Sequence, residues 1–188
     1  MSKVFQYGGI LASVVLIVFG AGSIVTGYQG RDRVHNDLAR EQIVGTPDSS
    51  IPNQLVNNGT KAEAFAKVMR KHTLEATGGQ TYAQMGRYLD KNGKATNNEK
   101  AAAVDPKSGK PVENPLRNLW VTETALTTAL HSSYFAESVA TFAIAMGIAL
   151  MLTGAGFLVL TLRVLRVFGQ EDNETEPAVA RSEAVLSS

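Results

Sequence analysis

Two stretches of this chain carry no charged residue: Val4–Gly30, over 27 positions, and Ser138–Leu162, over 25. A bilayer's hydrocarbon core is about 30 Å thick and takes roughly 20 helical residues, so each run is long enough to cross one. Backbone in lipid has to satisfy its own hydrogen bonds. Neither run alternates as a barrel strand would, so both are expected to be helices. Tyr7 and Tyr28 would sit about 31 Å apart on the first helix, at the interfacial depth that aromatic rings favour. Averaged over 188 residues the hydrophobic fraction is 44% and the net charge +1, values that hide this segregation.

The start of the chain also has features of a cleaved signal peptide: Lys3, an apolar core and the small residues Gly20-Ala21-Gly22. The apolar stretch continues through Ile24 and Val25, longer than a usual signal core, which favours an uncleaved anchor. The expected fold class is an all-α membrane protein. It consists of a two-helix transmembrane hairpin (residues 1–30 and 138–168) with a small helical extracytoplasmic lobe (31–137) and a disordered acidic cytoplasmic tail (169–188). Arg163 and Arg166 follow the second run, while no Lys or Arg lies between Asn118 and Glu137. By the bias of basic residues towards the cytoplasm, both termini are expected inside and the loop outside, in a multi-pass protein of the cell membrane.

Small residues recur four apart in the spans, as Ser23 and Gly27, and Ala143 and Gly147, with Gly154 beyond. Such rows let helix backbones approach closely. They are the candidate packing positions, within one chain, between copies of it, or against a larger membrane complex.

The lobe reads as three helices. Arg31–Val44 continues the first span, with Val34, Leu38, Ala39 and Ile43 as its stripe, until Gly45 and Pro47 stop it. Thr60-Lys61-Ala62-Glu63 has the form of a capping box and opens a second helix ended by Gly78-Gly79. Leu116–Glu137 would be a third, feeding the second span. Tyr82–Leu89 fits either a helical turn or an edge strand. Residues 90–115 hold two turn sequences, Lys91-Asn92-Gly93-Lys94 and Lys107-Ser108-Gly109-Lys110, without alternating apolar flanks, and are expected to be a flexible polar excursion.

Chemistry is sparse. The chain has no Cys, which excludes a disulfide framework, a thiolate metal site and a cysteine nucleophile. Near-neutral charge argues against nucleic acid as a partner. No phosphate-binding glycine loop, dinucleotide fingerprint or serine elbow appears. His35, His72 and His131 show no spacing that sets ligands on one helix face, so neither metal nor cofactor is expected. Lys67, Arg70 and Lys71, with Lys61, form a basic helical surface, the candidate face for anionic headgroups or wall polymers.

Several phrases carry a resemblance. They are Gln29-Gly30-Arg31, Arg40-Glu41-Gln42-Ile43-Val44-Gly45-Thr46-Pro47-Asp48, Lys71-His72-Thr73-Leu74 with Thr77-Gly78-Gly79, and Trp120-Val121-Thr122-Glu123-Thr124-Ala125-Leu126. Together they resemble an uncharacterised family of two-span actinobacterial membrane proteins over most of residues 5–168. The resemblance implies a bacterial cell membrane and no particular activity. Some members of that family bear the label of aromatic ring-opening dioxygenase. Extradiol cleavage needs a metal held by His and carboxylate ligands in an enclosed pocket, and the sequence offers no such set. The expected role is non-enzymatic: an accessory or scaffolding subunit of a cell-envelope complex, with the lipid bilayer and membrane protein partners or further copies of the chain around it. The alternative is a sensor module that binds a ligand, lipid or wall polymer through the loop.

Overall fold

Helix α1 (Lys3–Arg40) and helix α3 (Pro115–Leu186) are the long elements of the computed structural model, with α2 (Gly59–Ala76) between them in sequence. The structure describes the backbone of residues 3–186 and the side chains of residues 7–163. Both long helices are apolar enough to cross a membrane, with mean hydropathy reaching 2.3 within Tyr7–Arg40 and 2.2 within Pro115–Arg163. Large apolar side chains in these segments face outward: Leu11 is 66% exposed, Phe19 69%, Phe142 64% and Leu152 69%. The chain divides into two compact units, Met1–Gln29 with Ala140–Ser188, and Gly30–Val139.

In the first unit α1 and α3 run antiparallel along a seam of small residues. Ser13, Gly20 and Gly27 on α1, and Ala140, Gly147 and Gly154 on α3, are all buried. A Cβ added to Gly20 would stand 2.6 Å from the Gly147 carbonyl oxygen, and one on Gly147 2.6 Å from that of Gly20. Gly27 likewise faces the Ala140 carbonyl at 2.7 Å and Gly154 that of Ser13 at 2.9 Å. The repeat is every seventh residue, not every fourth as the sequence rows suggested, because two helices that wrap left-handed return to contact once per heptad. Ser23 and Ala143 lie beside this seam, half-buried. Hydroxyls within these segments bond to their own helix: Ser13 to Gly9 O at 2.8 Å, Thr26 to Gly22 O at 2.9 Å and Thr153 to Ala149 O at 2.8 Å.

The second unit packs the end of α1, α2 and the start of α3 around Leu38, Val56, Ala62, Ala66 and Leu130. α1 stops at Arg40, one turn before the expected Val44, where Gln42 takes a left-handed φ of 52°. The chain then doubles back, pairing Val44 with Leu55 and bonding Val56 N to Ile43 O at 2.8 Å. α2 starts at Gly59 rather than Thr60. Its cap is Asn58, whose Oδ1 accepts from Lys61 N at 2.9 Å. Gly59 sits against α3 so closely that a Cβ there would fall 2.8 Å from the Tyr134 Cα.

Residues 90–115, expected as a flexible excursion, are folded into turns. Strands β1 (Tyr88–Leu89) and β2 (Ala95–Thr96) pair antiparallel, and isolated bridges join Tyr88 to Glu113, Asp90 to Ala102 and Val104 to Pro111. An aspartate organises each turn. Asp90 Oδ1 accepts from Asn92 N and Lys94 N, both at 2.8 Å, and Asp105 accepts from Lys107 N at 3.1 Å. Asp side chains that bond backbone two residues on replace the missing apolar flanks. Beneath them Met85, Tyr88 and Ala102 are buried. α3 also continues through residues 169–186, where composition predicted disorder. The Ala, Glu and Leu of that segment are helix formers.

Gly147→Ala should destabilise the helix pair by about 1–3 kcal/mol, since the new methyl meets backbone rather than a yielding side chain. Gly156→Ala, whose Cβ would meet nothing within 4 Å, should be neutral or mildly stabilising. Denaturant unfolding of both variants in detergent separates these outcomes.

Candidate functional site

The basic surface predicted on α2 is largely compensated. Lys67 Nζ lies 2.8 Å from Glu63 Oε1, and Lys71 Nζ lies 2.9 Å from Asp48 Oδ2 and 3.8 Å from Glu75 Oε1. Arg70 sits over the Trp120 ring, 5.2 Å from its centre. Asp48, in the loop after α1, accepts from Lys71, from His72 Nε2 at 2.9 Å and from Thr46 Oγ1 at 2.8 Å. These bonds, first of all that from Lys71, hold its carboxyl far below the usual range, and Asp48 in turn raises the Lys71 ammonium. Lys67 and Lys71 are thus paired with carboxylates, while Arg70 keeps its charge over Trp120, so the three predicted residues share a helix without forming one open cationic face.

A second cluster joins the three helices of this unit. Glu137 on α3 meets His35 Nε2 at 2.9 Å and Arg31 Nη2 at 3.6 Å on α1, and accepts from Gly59 N at the start of α2. His35 and His72 bind different carboxylates, Glu137 and Asp48, and His131 is exposed. No group of three His, Asp or Glu among the described residues is placed to hold a metal ion. Glu123, buried on α3, has the Thr124 hydroxyl at 3.3 Å.

The concave feature that sequence reasoning missed lies where the turns meet α3. Asn114 caps that helix, accepting from Leu116 N at 3.1 Å, and its amide donates to Gly86 O at 3.0 Å. Arg117, one turn in, donates Nη1 to Met85 O at 3.0 Å and lies over Tyr82, 3.9 Å from the ring centre. Arg87 lies over Tyr88 at 5.2 Å. Tyr82, Arg87, Glu113, Asn114, Arg117, Asn118 and Val121 line a cleft of about 250 Å³. Neither Arg87 nor Arg117 has an ion pair within 4.0 Å among the described residues. The signal in the sequence was an Arg beside an aromatic at Arg87-Tyr88. The stacking partner of Arg117 lies far away in the chain, so no spacing rule could find it.

Beside the cleft an apolar groove of about 510 Å³ runs along α3 past Trp120, Val121, Thr124, Ala125 and Thr128. It belongs to a longer surface. From Asn118 to Ala136 every exposed position of α3 is uncharged apart from His131, and the one carboxylate, Glu123, is buried. Leu126 is 50% exposed and Phe135 69%. In the other unit, Val14, Val15, Val18, Phe19, Gly22, Ser23 and Thr26 line an apolar groove of about 520 Å³ on α1. No family model, curated protein or solved structure matches the chain.

The Asp48 cluster carries a pH dependence. A carboxyl whose folded pKa is depressed contributes stability that is present above the unfolded value, near 3.9, and is lost as pH falls through the folded value. The stability difference between the native chain and Asp48→Asn should thus be steady at neutral pH and shrink below about pH 4. Thermal unfolding of both proteins across that range measures it.

Proposed function

We propose that this chain is an integral membrane protein that acts as an accessory or scaffolding subunit of a cell-envelope complex, without catalytic activity of its own. One observation carries the reading: the exposed surface of α3 between Asn118 and Ala136 bears no Lys, Arg, Asp or Glu. A helix face in water is normally rich in such residues. A contiguous uncharged face with exposed Leu126, Tyr134 and Phe135 suits burial against another protein. The groove on α1, with Gly22 open at its floor, suits a neighbouring helix in the same way.

In this reading Tyr7–Tyr28 and Val139–Leu162 span the bilayer as a hairpin. Residues 31–137 form an extracytoplasmic lobe and both termini are cytoplasmic. The Arg residues after the second span favour that orientation. The partners are membrane proteins or further copies of the chain.

Gently solubilised native protein should run as an assembly of fixed stoichiometry, well above the 20.1 kDa of one chain. Leu126→Glu and Ala129→Glu, at exposed positions, should release it without loss of helicity. Light scattering with circular dichroism reads both effects, and a native chain that is monomeric would remove the basis of the proposal. The absence of Cys permits a topology test with single thiols. Asn97→Cys should react with an impermeant reagent on intact cells, and Ser187→Cys only after the membrane is opened. The reverse pattern would place the lobe in the cytoplasm.

A further inference from the structure

The geometry points to an anion site in the cleft between Arg87 and Arg117, one that binds a phosphate or phosphate-ester group. This inference rests on the two arginines, which lie outside the α3 docking face, although the cleft shares Asn118 and Val121 with it.

Arg31, Arg40, Lys67 and Lys71 each have a carboxylate within 4.0 Å. Arg87 and Arg117 are instead laid over tyrosine rings, as Arg70 is over Trp120, and Arg87 and Arg117 together line one cleft. An aromatic face attracts a guanidinium but does not neutralise it, so the cations stay available to an incoming anion. The ring contact and the bond to Met85 O restrict the Arg117 side chain in advance, which lowers the entropy lost on binding. Arg117 spends one of its five N–H donors on Met85 O and keeps the remainder.

The ligand class follows from shape. A planar carboxylate is satisfied by a single guanidinium fork. Here two guanidinium groups line one cleft from different elements, the turn before β1 and the first turn of α3, and a pair of forks suits the several oxygens of a tetrahedral phosphate. The Asn118 side chain in the lining adds a neutral donor, and the start of α3 adds a favourable field for negative charge. Glu113 is the one acid in the lining, at more than ion-pair distance from both arginines, so the cleft keeps a net positive charge. At about 250 Å³ it has room for a phosphoryl group with a short ester arm.

The test is equilibrium dialysis of radiolabelled glycerol 3-phosphate against the full chain in neutral detergent. Uptake should saturate at one per chain. It should weaken about tenfold or more in Arg87→Gln and in Arg117→Gln, and weaken in Arg117→Lys, which keeps the charge but loses the fork. Lys67→Gln should bind as the native chain does. Arg87→Gln leaves the Arg117–Met85 bond in place, so it tests the site even if Arg117→Gln misfolds. Displacement by inorganic phosphate identifies a free phosphoryl ligand. Displacement only by phosphatidylglycerol micelles, with phosphatidylcholine inert, identifies a lipid headgroup as the source. Absence of saturable uptake, or equal uptake by Arg87→Gln and the native chain, overturns the assignment.

Discussion

Three helices of the second unit converge on one carboxylate. Glu137 binds Arg31 and His35 on α1 and the backbone N–H of Gly59 at the start of α2, while its own backbone lies in α3. Its side chain is only 16% exposed. Hydrogen bonds to a charged group contribute about 1.5–3 kcal/mol, and a partner left buried without its mate costs a similar amount. The same contact explains two local features. Gly59 has no room for a Cβ against Tyr134, and α2 begins two residues earlier than a capping box at Thr60 would place it. Asn58 and Glu137 together satisfy N–H groups that the start of a helix leaves orphaned.

The remaining charges divide according to what holds them. Lys67 and Lys71 on α2 meet carboxylates, and the Asp48–Lys71–His72 cluster ties the loop after α1 to the helix, while Arg70 of the same helix lies over Trp120. Around the start of α3, cations meet aromatic rings instead. The first arrangement cancels charge and serves structure. The second holds charge in place without cancelling it, and it occurs in the concave part of this unit. A count of basic residues per helix gives the opposite ranking, because Lys67, Arg70 and Lys71 are close in sequence and Arg87 and Arg117 are not.

In the first unit the governing constraint is distance between backbones. Gly20 and Gly147 each face the other's carbonyl oxygen where a methyl group would stand, so the two helices approach more closely than larger side chains permit. Van der Waals contact along such a seam is effective between helices in lipid, where burial from water contributes little. Hydroxyls that return their bonds to their own helix leave the outer faces apolar, as the exposure of Phe19, Phe142 and Leu152 reflects.

Charge-free length determined the two long helices, because a run with no charge over Val4–Gly30 or Ser138–Leu162 has few alternatives to helix. The helical stripe at the end of α1 was legible for the same reason of periodicity and includes Leu38 of the second unit's core, whereas Ala62 and Ala66 of that core stood on no stripe read from the sequence. The order within residues 90–115 was not, because it rests on Asp90 and Asp105 bonding local backbone rather than on any apolar pattern. Periodicity likewise shows which residues share a helix face, but not which face meets another helix. Only the tertiary structure decided that the contact recurs every seventh residue, that Glu137 reaches both other helices, and that Arg117 lies on Tyr82. Each of these depends on residues distant in the chain being brought to within a few ångströms, and local composition carries no record of that distance.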